Sequence, residues 1–324
     1  MKILLSGSFS QDQIMNFDGL FEELIQPDKL HVLSISPLVK SLRRTRGGIA
    51  ANIAYSLALL GERPILYVSA GKDTKTYVES LAKMGIDTSW VHYSELPTAT
   101  FSVLTDKNDC QVGGFYPGAM SDAKNLRIDN FANKDIFVVV SAHDPVQMIV
   151  QAKECLKLKK RMLFDVGQQI TSLSNDDLLI GLKAAELLIL NDYEMGSLVK
   201  KTELTEKEII NFVDTCVVTL GSKGCVVYSK KIGQNNKNIE NFSSQKVEEA
   251  KVKNTVDPTG AGDAFRAGFL YGYIRDWNLE KCAKLGSVVA AFAVEKHGTQ
   301  EHKFTLVEIE KRYLENYQEE LSLK

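Results

Sequence analysis

The chain has 324 residues, 44% hydrophobic and 25% charged, the composition of a globular protein with ample core. Its 39 basic and 41 acidic residues leave a net charge of −2, with no electrostatic footprint for nucleic acid or a membrane surface, so the expected partners are small molecules. Five scattered cysteines without a Cys-x-x-Cys or Cys/His cluster read as reduced core residues, and the opening apolar run is too short for a signal peptide. No run approaches the ~20 apolar residues of a membrane span, and the expected location is the cytoplasm.

Residues 2–5 read as a buried first strand ending at Gly7, and 8–21 follow without a clear period. Asp12 lies just past that strand end, where open α/β sheets collect ligands. It is a candidate binder of substrate hydroxyls, and an ordinary loop or capping aspartate fits the position equally well. Residues 31–35 and 38–42 read as short strands separated by Pro37. The basic run Arg43-Arg44-Thr45-Arg46, a solvated face or a reach toward phosphate, leads into Gly47-Gly48. Ile49, Ile53, Leu57 and Leu60 then mark one face of a helix capped by Gly61. Gly47 and Gly48 therefore open a helix and permit close backbone approach to a ligand, while Asn52, one turn in, offers a donor and an acceptor to a diol.

A strand at 64–70 is followed by Asp73, a cap for the helix that carries Tyr77, Leu81 and Met84 up to Gly85. Residues 99–105 and 110–116, joined by Asp106-Lys107-Asn108-Asp109, read as a β-hairpin that interrupts the βα rhythm of a parallel sheet. Phe101, Phe115 and Tyr116 either face a ligand or pack this hairpin on the body. The runs 136–141, 161–166, 187–190 and 216–220 are continuously apolar, as strands covered on both faces are. After the third, Asn191 and Glu194 stand at i and i+3, a spacing that by itself favours a capping box. Thr219-Leu220-Gly221-Ser222-Lys223-Gly224 precedes a hairpin strand at 225–229, and a tight turn accounts for both glycines. Residues 230–245 are polar and asparagine-rich, an expected exposed loop.

The most informative stretch is Asp257-Pro258-Thr259-Gly260-Ala261-Gly262-Asp263-Ala264-Phe265. Ala267, Leu270 and Ile274 continue it at helical spacing, so a glycine-rich turn opens a helix over 264–275. The N–H groups of residues 260–263 are then free at the positive end of the helix dipole, and they form an anion cradle. Asp263 adds a proton acceptor beside the bound anion. The stretch is not a Rossmann fingerprint, because Phe265 occupies the place of its last glycine or alanine, and no Walker loop occurs. A helix at 279–296 ends at Gly298, and a final amphipathic helix carries Leu306, Ile309, Tyr313, Tyr317 and Leu321 on one face.

This nine-residue string closely resembles the C-terminal signature of the ribokinase-like (PfkB) family of carbohydrate and nucleoside kinases. With Asp12, Gly-Gly-x-x-x-Asn at 47–52, Asn-x-x-Glu at 191–194 and Thr-x-Gly-x-x-Gly at 219–224 in the family's order, the resemblance spans nearly the whole chain. It implies one domain over 1–324: a three-layer α/β/α sandwich with a mostly parallel central sheet and a small β-sheet lid from segments near 8–16, 31–46 and 97–119. It further implies that Asp263 is the catalytic base and that Gly260, Ala261 and Gly262 form the anion hole. Asp12, Gly47, Gly48 and Asn52 would bind the sugar beneath a lid carrying Phe101 and Phe115. Asn191 and Glu194 would order magnesium and water, with Glu194 reaching the metal through water, and Thr219, Gly221 and Gly224 would border ATP. A monovalent cation such as potassium is suggested near Asp257, Thr259, Ala293 and Gly298, and lid strands in this family often pair between subunits.

The strings at 263–270, 279–282 and 295–300 look most like the microbial nucleoside and adenosine kinases of the family. The expected reaction is transfer of the ATP γ-phosphoryl group to the 5′ hydroxyl of a nucleoside, adenosine first, with ribose or fructose as runner-up. The rivals from other classes are a non-catalytic metabolite binder, disfavoured by the intact Asp263, and a dehydrogenase, disfavoured by the missing fingerprint.

Overall fold

The computed structural model describes residues 1–108, 110–230 and 242–323. Along the chain come β1 (Lys2–Ser6), β2 (Ser10–Phe17), the short helix α1 (Phe21–Leu24), β3 (Val39–Gly47) and α2 (Ile49–Leu59). Next are β4 (Ile65–Tyr67), β5 (Ser69–Gly71), α3 (Lys75–Lys83), β6 (His92–Ser94), β7 (Ala99–Thr105) and β8 (Gln111–Tyr116). The middle of the chain alternates β9 (Ile136–Ser141), α4 (Pro145–Leu158), β10 (Met162–Asp165), α5 (Asn175–Ala184), β11 (Leu187–Asn191), α6 (Asp192–Thr202), α7 (Glu206–Asn211) and β12 (Thr215–Thr219). It closes with β13 (Cys225–Lys230), β14 (Phe242–Val247), α8 (Ala261–Tyr273), α9 (Leu279–Val294) and α10 (Leu306–Tyr317).

Eight strands form the central sheet in the order β14-β13-β12-β11-β10-β9-β1-β4. All neighbours are parallel except at the β12–β13 and β13–β14 pairs. The continuous apolar runs are explained by two cores, one on each face, because successive strand side chains point to opposite sides. Ile3, Leu5, Val139, Leu163 and Ile189 pack with Ile53 and Leu57 of α2, Phe269 of α8 and Leu285 of α9. Leu4, Val138, Val140, Phe164 and Leu188 pack on the other side with Met148 of α4, Leu182 of α5 and Leu198 of α6. Full burial of each such side chain stabilises by about 1.5–3 kcal/mol.

A second sheet, ordered β3-β2-β7-β8, forms the lid. Asp12 of β2 lies opposite Thr45 of β3 and Phe101 of β7, and Phe101 lies opposite Phe115 of β8. Directly opposed residues share a face, so Asp12, Phe101 and Phe115 stand side by side. On the reverse face Met15 is opposite Leu42 and Leu104, and Leu104 is opposite Val112.

Several expectations are corrected. Asp12 sits within a lid strand, in the segment near 8–16 that the resemblance assigned to the lid, so the loop or capping alternative does not hold. Residues 31–42 are not two strands: a 3₁₀ turn spans Pro27–Val32, and a single strand runs from Val39 through the basic run to Gly47, paired to β2 along its length. The strand expected over 64–70 breaks at Val68, after which β5 leaves the main sheet to pair with β6. Asp73 does not cap α3. Its carboxylate accepts from the Thr98 N–H at 3.0 Å and hydroxyl at 2.9 Å, which fastens the start of β7. Of the expected loop over 230–245, residues 231–241 lie outside the described residues, and Phe242–Val247 is a strand antiparallel to β13. Leu321 is buried but lies beyond the end of α10.

Candidate active site

The carboxyl ends of the parallel strands gather the polar residues. Asp165 ends β10, Asn191 ends β11 and Thr219 ends β12, with Asn191 and Thr219 directly opposed in the ladder. Against this edge α8 presents its N-terminus. Gly260 caps it with φ +81°, a left-handed conformation unfavourable for a residue with a Cβ, and a Cβ there would stand 3.0 Å from the Thr299 side chain. The cradle is narrower than expected, because the Ala261 N–H already donates to the Pro258 carbonyl at 3.1 Å. The N–H groups of Gly260, Gly262 and Asp263 meet no acceptor among the described residues, so three donors remain for an anion.

Asp263, in the first turn of α8, keeps some contact with solvent inside dense packing. Burial pushes its pKa up to about 6, opposed by the Arg266 guanidinium and by a hydrogen bond from Asn52. That bond runs from Asn52 Nδ2 to Asp263 Oδ2 at 2.8 Å. Asn52, expected to face a substrate diol, thus touches Asp263. It is held by residues that the sequence did not mark: Gln300 Nε2 donates to Asn52 Oδ1 at 2.9 Å and to the Tyr77 hydroxyl at 2.5 Å, and Tyr77 donates to the Gly47 carbonyl at 3.1 Å.

Arg266 is a third unmarked residue. It is buried, with Nη2 donating to Asp165 Oδ1 at 2.7 Å and to the Ile189 carbonyl at 3.2 Å, while Glu194 Oε2 lies 3.9 Å away. Its Nη1 lies against Gly262, where a Cβ would approach it to 2.9 Å. A fixed cation therefore lies against the cradle, among three acids. Burial pushes Asp165 up to about 7, with Arg266 opposing and Glu194 and Asp263 adding to the rise. The available signal was an acid closing an apolar strand and an arginine one helical turn after the proposed base.

Asn191 and Glu194 form the capping box of α6: Asn191 Oδ1 accepts from the Glu194 N–H at 2.7 Å, and Glu194 Oε2 accepts from the Asn191 N–H at 2.8 Å. Among the described residues no group of three or more His, Cys, Asp or Glu is placed to hold a metal ion. Magnesium, which keeps several waters and is held by one or two carboxylates plus phosphate, fits Glu194 through water, since only one of its oxygens serves the cap. Gly221 has φ +57° with nothing within 4 Å of a Cβ position, so the end of β12 is open to a ligand. Gly224 has a packing reason to be glycine, because a Cβ there would lie 2.1 Å from the Val247 carbonyl. Asp257, Thr259, Ala293 and Gly298 do come together, but Asp257 already accepts from the N–H groups of Thr259 at 3.0 Å and Gly298 at 2.9 Å, and the Ala293 carbonyl accepts from Lys296. These hydrogen bonds clasp the segment before α8 to the turn after α9.

On the lid side, burial pushes the Asp12 carboxyl up to about 6. It occupies the space a Cβ on Gly47 would need, 3.0 Å away. Gly48, at φ +97°, lets α2 close onto residues 8–10, where a Cβ would strike the Ser8 carbonyl at 2.5 Å. Phe101 and Phe115 are 38% and 50% exposed on the Asp12 face. Tyr116 is opposite Thr100 and points to the other face.

A mostly parallel sheet under a small β lid is the ribokinase fold, and at its polar edge lie free helix N-terminal N–H groups and an acid. The family model described as pfkB family carbohydrate kinase matches residues 13–305, and the chain belongs to that family. It is a kinase acting on a hydroxyl acceptor. The nucleoside kinase of Methanocaldococcus jannaschii is 33% identical over 302 residues, 92% of each chain. The solved structure of that archaeal nucleoside kinase has a TM-score of 0.83 at 29% identity, covering 97% of this chain and 98% of that one. The Burkholderia thailandensis nucleoside kinase in complex with inosine has a TM-score of 0.84 at 27% identity, covering 98% of this chain and all of that one. No helix among the described residues is long and apolar enough to cross a membrane.

Proposed function

We propose that this kinase transfers the γ-phosphoryl group of ATP to the 5′ hydroxyl of a purine nucleoside, adenosine first. The observation that carries the reading is the lid face on which Asp12, a binder for ribose hydroxyls, stands directly opposite Phe101 and beside Phe115. A sugar needs the carboxylate but not the rings. A purine makes use of both, since stacking a base on an aromatic face contributes about 1–3 kcal/mol in other base-binding proteins. The nucleoside kinases among the relatives and the inosine complex support the same class.

In this reading Asp263 takes the proton of the attacking hydroxyl, and the N–H groups of Gly260, Gly262 and Asp263 stabilise charge developing on the transferred phosphoryl. Thr219 and Gly221 border the nucleotide. Magnesium, when bound, supplies neutralising charge to the phosphates, and Glu194 would hold it through water. The site of action is the cytoplasm, where ATP is available. The test is a panel of adenosine, inosine, cytidine, ribose, fructose and fructose 6-phosphate under one set of conditions. Adenosine should give the highest kcat/KM. Turnover of a free sugar with none of adenosine would overturn the nucleoside assignment and leave the kinase standing.

A further inference from the structure

Asp263 Oδ2 and the Gly47 carbonyl oxygen are both acceptors, and Asn52, Gln300 and Tyr77 stand between them. Chemistry therefore assigns every proton in the chain. Asn52 must turn its NH₂ to the carboxylate, which turns its oxygen to Gln300, and Gln300 must answer with its own NH₂. Tyr77 gives its proton to Gly47 and so accepts the second Gln300 hydrogen. Gln300 is 4% exposed, and its Oε1 has no partner among the described residues. Leaving a buried amide oxygen unpaired is unfavourable, so the orientation is imposed from the nitrogen side. The next residue back, Thr299, donates its hydroxyl to the Arg46 carbonyl at 2.9 Å, so residues 299–300 grip the end of lid strand β3 as well as the base network.

We infer that Gln300 is a positioning residue for phosphoryl transfer: it fixes which face Asn52 shows to Asp263, so that the base meets a donor and is held ionised and aimed. This rests on the reading of Asp263 as the base. The charged groups that face Asp263 are Arg266 from its own helix, Glu194 from α6 and Asp165 from β10. Arg266 and the Asn52 N–H favour the carboxylate, and Glu194 opposes it. Loss of the Asn52 donor therefore raises the proton affinity of Asp263, and the acidic limb of the kcat/KM profile moves to higher pH.

The experiment measures kcat/KM for adenosine against pH in the wild type, Gln300→Leu, Gln300→Met, Asn52→Leu, the Asn52→Leu/Gln300→Leu double variant and Asp263→Asn, with thermal unfolding as a control. Gln300→Met keeps the length but offers Asn52 no donor and adds no charge. Both Gln300 variants should move the acidic limb up by about one pH unit, the scale of one lost charge-assisted hydrogen bond, with KM for ATP unchanged. The double variant should be no worse than Asn52→Leu alone, because Gln300 acts through Asn52. An unmoved limb in a folded Gln300 variant, or losses that multiply in the double variant, would overturn the inference. Should Gln300→Leu fail to fold, Gln300→Met carries the same test. Near-normal turnover in Asp263→Asn is a separate outcome, which removes the base itself and this inference with it.

Discussion

In its proposed role Asp263 must meet two demands that usually conflict: it must be basic enough to take a proton and sit where an anion would bind. Burial answers the first, and the adjacent N–H groups with Arg266 answer the second. Asp263→Asn should lower kcat by roughly 10²–10⁴-fold, the range for losing a general base, with ATP affinity little changed in a binding titration. Arg266 also has a structural duty. Arg266→Met leaves Asp165 buried without its partner and should destabilise the protein by about 3–5 kcal/mol in urea unfolding. Adding Asp165→Leu should restore most of that stability but not turnover. Recovery of turnover along with stability would reduce the arginine to a scaffold. Asp263 was legible because its glycine turn and acid are neighbours in sequence. Arg266 and Gln300 were not, since the partners that give them meaning lie 101 and 248 positions away.

The elements around the site show how far pattern carries. Strands β9 to β12 were readable because burial on both faces leaves an unbroken apolar run. Strands β2 and β3 were not, because the lid is mostly polar or basic and its pairing is set by a distant partner strand. The break at Val68 left no mark, since both halves are equally buried. At α6 the residue types fitted both a cap and a magnesium site, and the hydrogen bonds supply the cap. Asn191→Ala should therefore cost about 0.5–2 kcal/mol of stability. Glu194→Ala should show a similar loss together with a raised magnesium requirement in steady-state kinetics. A magnesium dependence identical to wild type in Glu194→Ala would leave that residue with the cap alone.

At the scale of the whole molecule the lid has two different faces. The one opposite Asp12 carries Leu42, Met15, Leu104 and Val112 as a row across all four strands, with Leu42 and Val112 52% and 62% exposed. An apolar row of this kind on an exposed sheet suits a second copy of the same lid. We expect a dimer by sedimentation, and Val112→Lys should shift it toward monomer. A monomeric wild type at all concentrations would exclude the arrangement. The lid's connectivity has a further consequence, for the order of folding. Strand β2 runs parallel to β7, pairing Ser10 with Ala99, so this ladder joins segments that have α2, β4 and α3 between them in the chain. Contacts of such sequence separation are slow to form, and largely exposed strands such as β3 and β8 belong to the regions that open most readily. Native-state hydrogen exchange should then find the lid amides released through an opening that leaves β9 to β11 protected. Exchange of both regions at one common free energy would instead make the lid part of a single cooperative unit. If the lid does open alone, the enzyme's gate is also its least stable foldon, and substrate that bridges Asp12 and Asp263 would be what closes it.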